Sequence, residues 1–441
     1  MNLITHSSNR PVFRALGLGV LLTGLLQCPS AHAQDSLTFF DDGASIGGEI
    51  RGRGEALGNY YTPDGRADRD DEFFLLRTKL HFDLHLHESW GVLVEGQDAR
   101  EFGSDLINRD AVPNGFEDDL DLFQAYVDLI DIGGSPLSLR AGRQLLRYGR
   151  ERLVGALLWS NTSRSFDALK LSIDAEYLYG GTIDLFAAEP VIHDYGNFNE
   201  FLLNDNQLYG LYATWRDVPF LDVLESYYLL RHHDGNDDEV HTLGARMTKT
   251  YDSGWDWEIE LAGQVGDFRG DDHAAFATHA SLGYTFEAPW TPRVGLGHSY
   301  ATGDDDPNDG DHETFDNLFP TNHGLYGQMD LFSWRNGHDI ELQGVANPTE
   351  ALTLICETHV FILDEAETDA WYNAGGAVLR RGAATADSYV GNELDLRATY
   401  HFNKWFSLAG GYSHFFAGSF VSDTGEDDDA DWGYIQGTLT F

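Results

Sequence analysis

From Phe74 to Leu86 the chain alternates. Even positions read Phe74, Leu76, Thr78, Leu80, Phe82, Leu84 and Leu86, while odd positions from 77 read Arg77, Lys79, His81, Asp83, His85 and His87. Successive side chains of an extended strand point to opposite faces. One face is therefore apolar and the other ionisable, and the ionisable face must be wet. The pattern recurs. Trp255, Trp257, Ile259 and Leu261 alternate with Asp256, Glu258 and Glu260, and Leu394, Leu396, Ala398, Tyr400 and Phe402 with Glu393, Asp395, Arg397, Thr399 and His401. Strands of about 10 residues with alternating faces are the signature of a transmembrane β-barrel. Soluble strands run to about five or six residues.

Segmentation by alternation and turn residues predicts an all-β, antiparallel transmembrane barrel of 18 strands. Connections alternate in length. Short ones include Glu88-Ser89, Asp131 to Ser135, Asp217 to Pro219, Tyr251 to Gly254 and Asn403-Lys404. Long ones include Tyr60 to Asp71, Arg100 to Asp118, Tyr148 to Ser165, Gly303 to Gly324 and Ala366 to Val390. Barrels of the outer membrane have short periplasmic turns and long external loops. The acid runs Asp68 to Glu72, Glu117 to Asp121, Asp234 to Glu239, Asp304 to Asp311 and Asp423 to Asp431 fall mainly in the long set, which predicts an acidic external rim. The chain ends in an amphipathic stretch closing on Phe441. A terminal Phe on such a strand looks like the signal read by the outer-membrane insertion machinery, a reading that strand addition to an open edge would accomplish.

The N-terminus sets the expected compartment. Arg10 and Arg14 precede an apolar run from Ala15 to Leu26, and Ala31-His32-Ala33 is a small-x-small cleavage site. This is the layout of a secretory signal peptide over residues 1–33, with a mature chain of 34–441 forming a single barrel. The mature chain keeps only Cys356, so no intramolecular disulfide staples it. Mature charge is extreme: 26 Lys+Arg against 72 Asp+Glu, or −46. Aromatic residues at 13% argue against disorder, and the acidity against nucleic-acid binding.

Several ordered motifs resemble the alginate export family of outer-membrane barrels. They are Gly142-Arg143-Gln144, Tyr148-Gly149, Glu151-Arg152-Leu153, Trp159-Ser160-Asn161-Thr162 and Arg164-Ser165-Phe166-Asp167. Further on come Thr314-Phe315-Asp316, Phe319-Pro320-Thr321-Asn322-His323, Tyr326-Gly327 and Met329-Asp330. The last are Ala370-Trp371-Tyr372-Asn373, Gly391 to Leu396 and Gly411 to Phe416. The resemblance implies an 18-stranded barrel in the bacterial outer membrane, facing lipid and lipopolysaccharide. It also implies a channel that passes alginate, a polyanionic uronate polymer, through an arginine-lined constriction. Arginine suits carboxylate through its planar fork. By strand parity Arg51, Arg53, Arg77, Lys79, Arg140 and Lys170 face the lumen. The resemblance carries polyanion contact onto Arg143, Arg152 and Arg164, which border a long loop able to fold inward. The sequence also departs from a simple polyanion path. Glu49, Glu55, Asp83, Asp256, Glu258 and Glu260 share the inward face, and only short periplasmic turns are present to act as a plug. A general or cation-preferring porin is the alternative.

Other chemistry is weaker. His81, His85 and His87 share a face, but a third close ligand is not evident, so wet lumen histidines are expected. Pro307 disqualifies Asp304 to Asp311 as an EF-hand, leaving loosely bound Ca²⁺ on acidic external loops as the one cofactor considered. Trp90, Trp255, Trp257 and Trp405 suit an interfacial girdle. No G-x-S-x-G occurs in the mature chain, and no enzyme is expected.

Overall fold

The computed structural model describes residues 37–39, 43–63, 69–105, 115–198, 205–236 and 238–441. The expected leader lies outside them, as do Asp68 and Asp237 of two acid runs.

The first wall strands are β1 (Ala44–Gly58), β2 (Asp71–His87), β3 (Trp90–Phe102), β4 (Asp118–Leu129), β5 (Leu137–Gln144) and β6 (Phe166–Ala175). Then come β7 (Gly181–Pro190), β8 (Asn206–Trp215), β9 (Val223–His233), β10 (Asp238–Thr250), β11 (Trp255–Phe268) and β12 (Asp271–Thr285). The ring is completed by β13 (Arg293–Ala301), β14 (Gly337–Thr349), β15 (Leu352–Leu363), β16 (Tyr389–His401), β17 (Phe406–Ala417) and β18 (Ala430–Thr440). The sheet holds 20 strands, and two short ones, Leu37–Phe39 and Asp311–His312, are additions to its rim, leaving 18 in the wall. Each wall strand pairs antiparallel with its chain neighbours. β1 pairs with β18 from Glu49↔Thr440 to Gly58↔Asp431, so the sheet closes on itself. Phe441 seals the seam with its backbone: Gly48 N donates to its carbonyl at 2.8 Å, and its own N–H donates back to Gly48 O at 3.1 Å. Closure leaves no unpaired strand edge facing hydrocarbon.

The faces are inverted relative to a soluble protein. On β2, Phe74, Leu80 and Phe82 are exposed on the outside, whereas Arg77, Lys79 and His81 are buried on the inside. The outer face carries Leu243, Val265, Leu296 and Ile435, all more than half exposed. An apolar surface this continuous is stable only against lipid. Exposed aromatics lie toward both ends of the wall, Tyr177, Phe220, Trp255, Trp290 and Phe402 at the short-turn end and Phe102, Phe116, Phe198 and Phe416 at the other. That is the position of an interfacial girdle.

The short turns hold as expected, none longer than the seven residues of 130–136, 216–222 and 286–292. The opposite end differs from expectation in two places. β9 and β10 are joined by 234–237 alone, and β11 and β12 by Arg269-Gly270. Both residues of that two-residue turn take positive φ, 55° and 93°, as a type I′ hairpin demands. Asp238 and Glu239 therefore lie in a strand, and this acid run caps a short hairpin instead of filling a long loop.

The long loops 145–165, 302–336 and 364–388 fold into the lumen. Leu146, Leu153, Val154, Phe315, Phe319, Tyr326, Met329, Phe332, Trp334 and Trp371 form one buried cluster with wall residues Phe166, Phe186, Leu208, Tyr212, Tyr227, Phe361 and Phe415. The apolar core of this protein thus lies inside the barrel, built by loops, while the barrel's own apolar face looks outward.

Candidate functional site

Loop 145–165 crosses the lumen from one wall to the other. On the β1–β2 side, three arginines hold its backbone. Arg51 donates to Leu158 O at 3.0 Å and Ser160 O at 3.1 Å. Arg53 donates to Trp159 O at 2.8 Å, and Arg77 to Leu158 O and Ser160 O, both at 2.9 Å. The strands place these residues two apart on β1 and directly across at Arg51↔Arg77, so their guanidinium groups converge on one short stretch of carbonyls. Arg53 also pairs with Glu55 at 2.7 Å, and Arg77 with Glu49 at 2.7 Å. Lys79, next on the same face, sits 3.7 Å from the centre of the Phe123 ring.

At the far side Arg152 reaches β11. Its Nη1 lies 2.6 Å from Glu258 and 2.7 Å from Glu260. The network continues through Arg246, which pairs with Glu258 and Glu225 at 2.8 Å each, and through Tyr227, whose hydroxyl donates to Glu260 at 2.9 Å. In an 18-strand ring β11 lies nearly opposite β1, so the loop is a strut with charged anchors at both ends. Arg150 on the same turn faces Glu258 and Glu341, and burial pushes its guanidinium below its usual range. The sequence candidates did not include it, although it lies two residues before Arg152.

A second loop locks the first. Val154 bridges Phe319 in parallel; Gly155 N donates to Phe319 O and Phe319 N to Leu153 O, each at 2.9 Å. Arg164 donates to Pro320 O at 2.9 Å and Gly155 O at 3.3 Å, so its charge is spent holding the two loops together. Burial pushes that guanidinium down to about 10, with Glu151 opposing. Loop 302–336 has wall anchors of its own. Asp316 pairs with Arg231 at 2.6 Å and exchanges backbone bonds with Gln264. Burial alone would raise the Asp316 carboxyl, but Arg231 and Arg335 hold it below the carboxylate range. On β16, Glu393 accepts Gln328 N at 2.6 Å and Met329 N at 2.9 Å. Gly327 makes this approach feasible: its φ is +82°, and a Cβ there would lie 2.5 Å from Glu393 Oε1.

The remaining candidates divide. Arg140 and Lys170 face the lumen as parity predicts, Arg140 paired with Asp128 at 2.7 Å and Lys170 with Asp184 at 3.7 Å. Arg143 does not. Its cross-strand partners are Ala125 and Asp167, and it shares its face with Ala141, the face of exposed Val127 and Leu169. It lies three positions after Arg140, so the two are on opposite sides of the strand. Arg143 pairs with Asp167 at 2.9 Å and lines a cavity of about 320 Å³ with Asp121, Leu122 and Phe198. The polyanion-contact role carried onto Arg143 is corrected by this placement. Glu49, Glu55, Asp256, Glu258 and Glu260 do face inward, each beside an arginine.

The three histidines of β2 also disperse. His81 approaches Glu95 at 4.0 Å, His85 pairs with Asp83 at 2.9 Å, and His87 accepts Ser89 N at 3.0 Å. Among the described residues, Glu357, His359 and Asp395 form the group that converges closely enough to hold a metal.

A closed 18-strand wall with an apolar exterior, a wet interior and loops strapped across the lumen is a channel architecture. The family model described as alginate export matches residues 43–434. The chain belongs to the alginate export family. No curated protein matches this family member closely in sequence. Among solved structures it is similar to OccK9 (OpdG) of Pseudomonas aeruginosa at 13% identity and TM-score 0.63, covering 92% of this chain and 100% of that one. OccK5 (OpdH) of the same organism matches at 10% identity and TM-score 0.60, covering 92% and 100%. OccK11 (OpdR) matches at 14% identity and TM-score 0.56, covering 92% and 98%. At such identities these likenesses show the fold alone. Fold and family together make this protein an outer-membrane channel.

Proposed function

We propose that this channel passes an anionic polysaccharide, alginate-like, or its oligomers, and that loop 145–165 gates it. The observation that carries the reading is the row of inward cations Arg51, Arg53, Arg77 and Lys79 on adjoining strands. Wherever the loop covers them, three of these cations are satisfied by its carbonyls. A uronate chain brings carboxylates, which are stronger acceptors than amide carbonyls. It can therefore displace the loop from the same donors, so that substrate entry and gate opening become one exchange. Proposed partners follow from this setting: lipid and lipopolysaccharide outside, and the insertion machinery acting on the strand that ends in Phe441. Export with cleavage after Ala33 belongs to the same proposal, as does loose Ca²⁺ on the acidic rim.

Planar-bilayer recording tests the substrate. The reading expects anion selectivity and block by oligouronate, with block weakened when Arg51, Arg53 and Arg77 are replaced together by Gln. Cation selectivity without block refutes it. That outcome is the second reading, a general or cation-preferring porin, which the inward carboxylates Asp339, Glu341, Glu357, Glu393 and Asp395 favour.

A further inference from the structure

We propose that the barrel wall binds one divalent transition-metal cation through His359 Nε2 and the carboxylates of Glu357 and Asp395, where loop 302–336 hangs on the wall. The residues form a square. Glu357 lies directly across from Asp395, and His359 directly across from Glu393, on β15 and β16. One ligand atom from each of Glu357, His359 and Asp395 lies within 4.8 Å of the others.

The imidazole is prepared for a metal. Its Nδ1 lies 2.9 Å from Asp339 Oδ1, which fixes that nitrogen as the donor. A ligating histidine characteristically gives its other ring N–H to a carboxylate in this way. Nε2 is then left with its lone pair toward Asp395 Oδ2, 3.9 Å away and beyond hydrogen-bond reach. His359 is 1% exposed and Asp395 and Glu393 are 0% exposed, so water does not reach them. Neither His359 Nε2 nor Asp395 Oδ2 has a hydrogen-bond donor on it. Two orphaned acceptors facing each other in a dry pocket are mutually repulsive unless something positive lies between them.

Local charge points the same way. Asp339, Glu341, Glu357, Glu393 and Asp395 crowd this patch against one cation among the described residues, Arg397 on Glu357 Oε2, while Gln343 donates to Glu357 Oε1 at 2.6 Å, a bond that Glu357 would share with the ion. Two ordinary alternatives exist: an imidazolium in place of the metal, or a proton shared by Glu393 and Asp395. The donor set of one imidazole nitrogen and carboxylate oxygens suits Zn²⁺ or a neighbouring first-row ion better than Ca²⁺ or Mg²⁺, which take oxygen ligands. Bound there, the ion would tie β15 to β16 beneath Glu393, whose other oxygen holds Gln328 and Met329 of the loop.

The test uses the full-length folded barrel in detergent, stripped with chelator and without a histidine tag. Zn²⁺ retention after desalting and the visible spectrum on Co²⁺ addition are measured, with excess Ca²⁺ present to saturate the acidic loops. The proposal expects one retained Zn²⁺ per barrel and a Co²⁺ ligand-field band. It expects loss of both in His359→Gln and in Asp395→Asn. Asp339→Asn, which acts only on ring orientation, should weaken binding about 10- to 100-fold. Heat-modifiable gel mobility reports folding of each variant. If one variant fails to fold, the wild-type stoichiometry and the other variant decide. No retained Zn²⁺ in the folded wild type, or a Co²⁺ band that survives His359→Gln, overturns the site and leaves a proton in the pocket.

Discussion

Arg53 grips Trp159 twice: its guanidinium carbon stands 3.8 Å from the centre of the indole ring, while Nη1 donates to the Trp159 carbonyl at 2.8 Å. The indole is in turn stacked on His323 of the second loop at 4.2 Å and meets Tyr434 of β18 edge-on at 5.0 Å. Wall, gate loop and locking loop therefore meet at one side chain. A desolvated cation–π contact contributes up to about 2 kcal/mol. A double-mutant cycle on Arg53→Gln and Trp159→Ala, read by urea unfolding from lipid vesicles, should show coupling of about 1–2 kcal/mol. Additive effects would mean that the two residues act independently.

Arg152 is the opposite anchor. Removing it leaves Glu260, with 5% side-chain exposure, buried without its cation. Breaking one side of a buried ion pair costs about 3–5 kcal/mol. Arg152→Ala should lower barrel stability by about that amount in urea titration and release the strut, raising open-channel conductance. Arg152→Lys should recover part of the stability, because it restores the charge but not the planar guanidinium whose Nη1 lies between the two carboxylates.

The locking loop carries a pH response. Burial, with Asp369 close by, raises the Asp304 carboxyl from 3.8 to about 6. A carboxyl whose pKa is higher in the folded loop holds its proton more tightly there than when the loop is undone. Its contribution to stability is complete at pH below 3.8 and is lost as the pH climbs through about 6. Hydrogen exchange of loop 302–336 should therefore quicken across that interval, and Asp304→Asn should flatten the response. A profile unchanged by the substitution would remove Asp304 as the cause.

The outward face has its own test. Leu243 stands 70% exposed in the middle of β10. An arginine at mid-membrane depth on a lipid face costs about 2–4 kcal/mol. Leu243→Arg should lose that much stability in vesicles, whereas a lumen-facing side chain would tolerate the charge.

Much of this was legible in the chain. Alternation over Phe74 to Leu86 located both faces of β2, and the same parity placed Arg51, Arg53, Arg77, Lys79, Arg140 and Lys170 inside, because a period of two is a local property. Turn chemistry recovered the 18 strands. Arg143 was misplaced because a motif, not parity, supplied its role. The short hairpins at 234–237 and Arg269-Gly270 were hidden because acid runs mark water and carry no information on loop length. Infolding of 145–165 and 302–336 rests on partners more than 100 residues away, such as Arg51 with Leu158 across 107 positions and Asn317 with Arg152 across 165. Glu357 and His359 do alternate on one face in the sequence, but only the β15–β16 register brings Asp395 beside them.

As proposed, loop 145–165, strapped to its arginine wall, is the gate of the lumen. Single-channel conductance in planar bilayers tests it most directly, comparing the intact barrel with one in which residues 150–161 are replaced by a short Gly-Ser linker. The excised form should conduct several-fold more, with Arg51, Arg53 and Arg77, uncovered by the loop, increasing its preference for anions. Equal conductance in the two forms would contradict it.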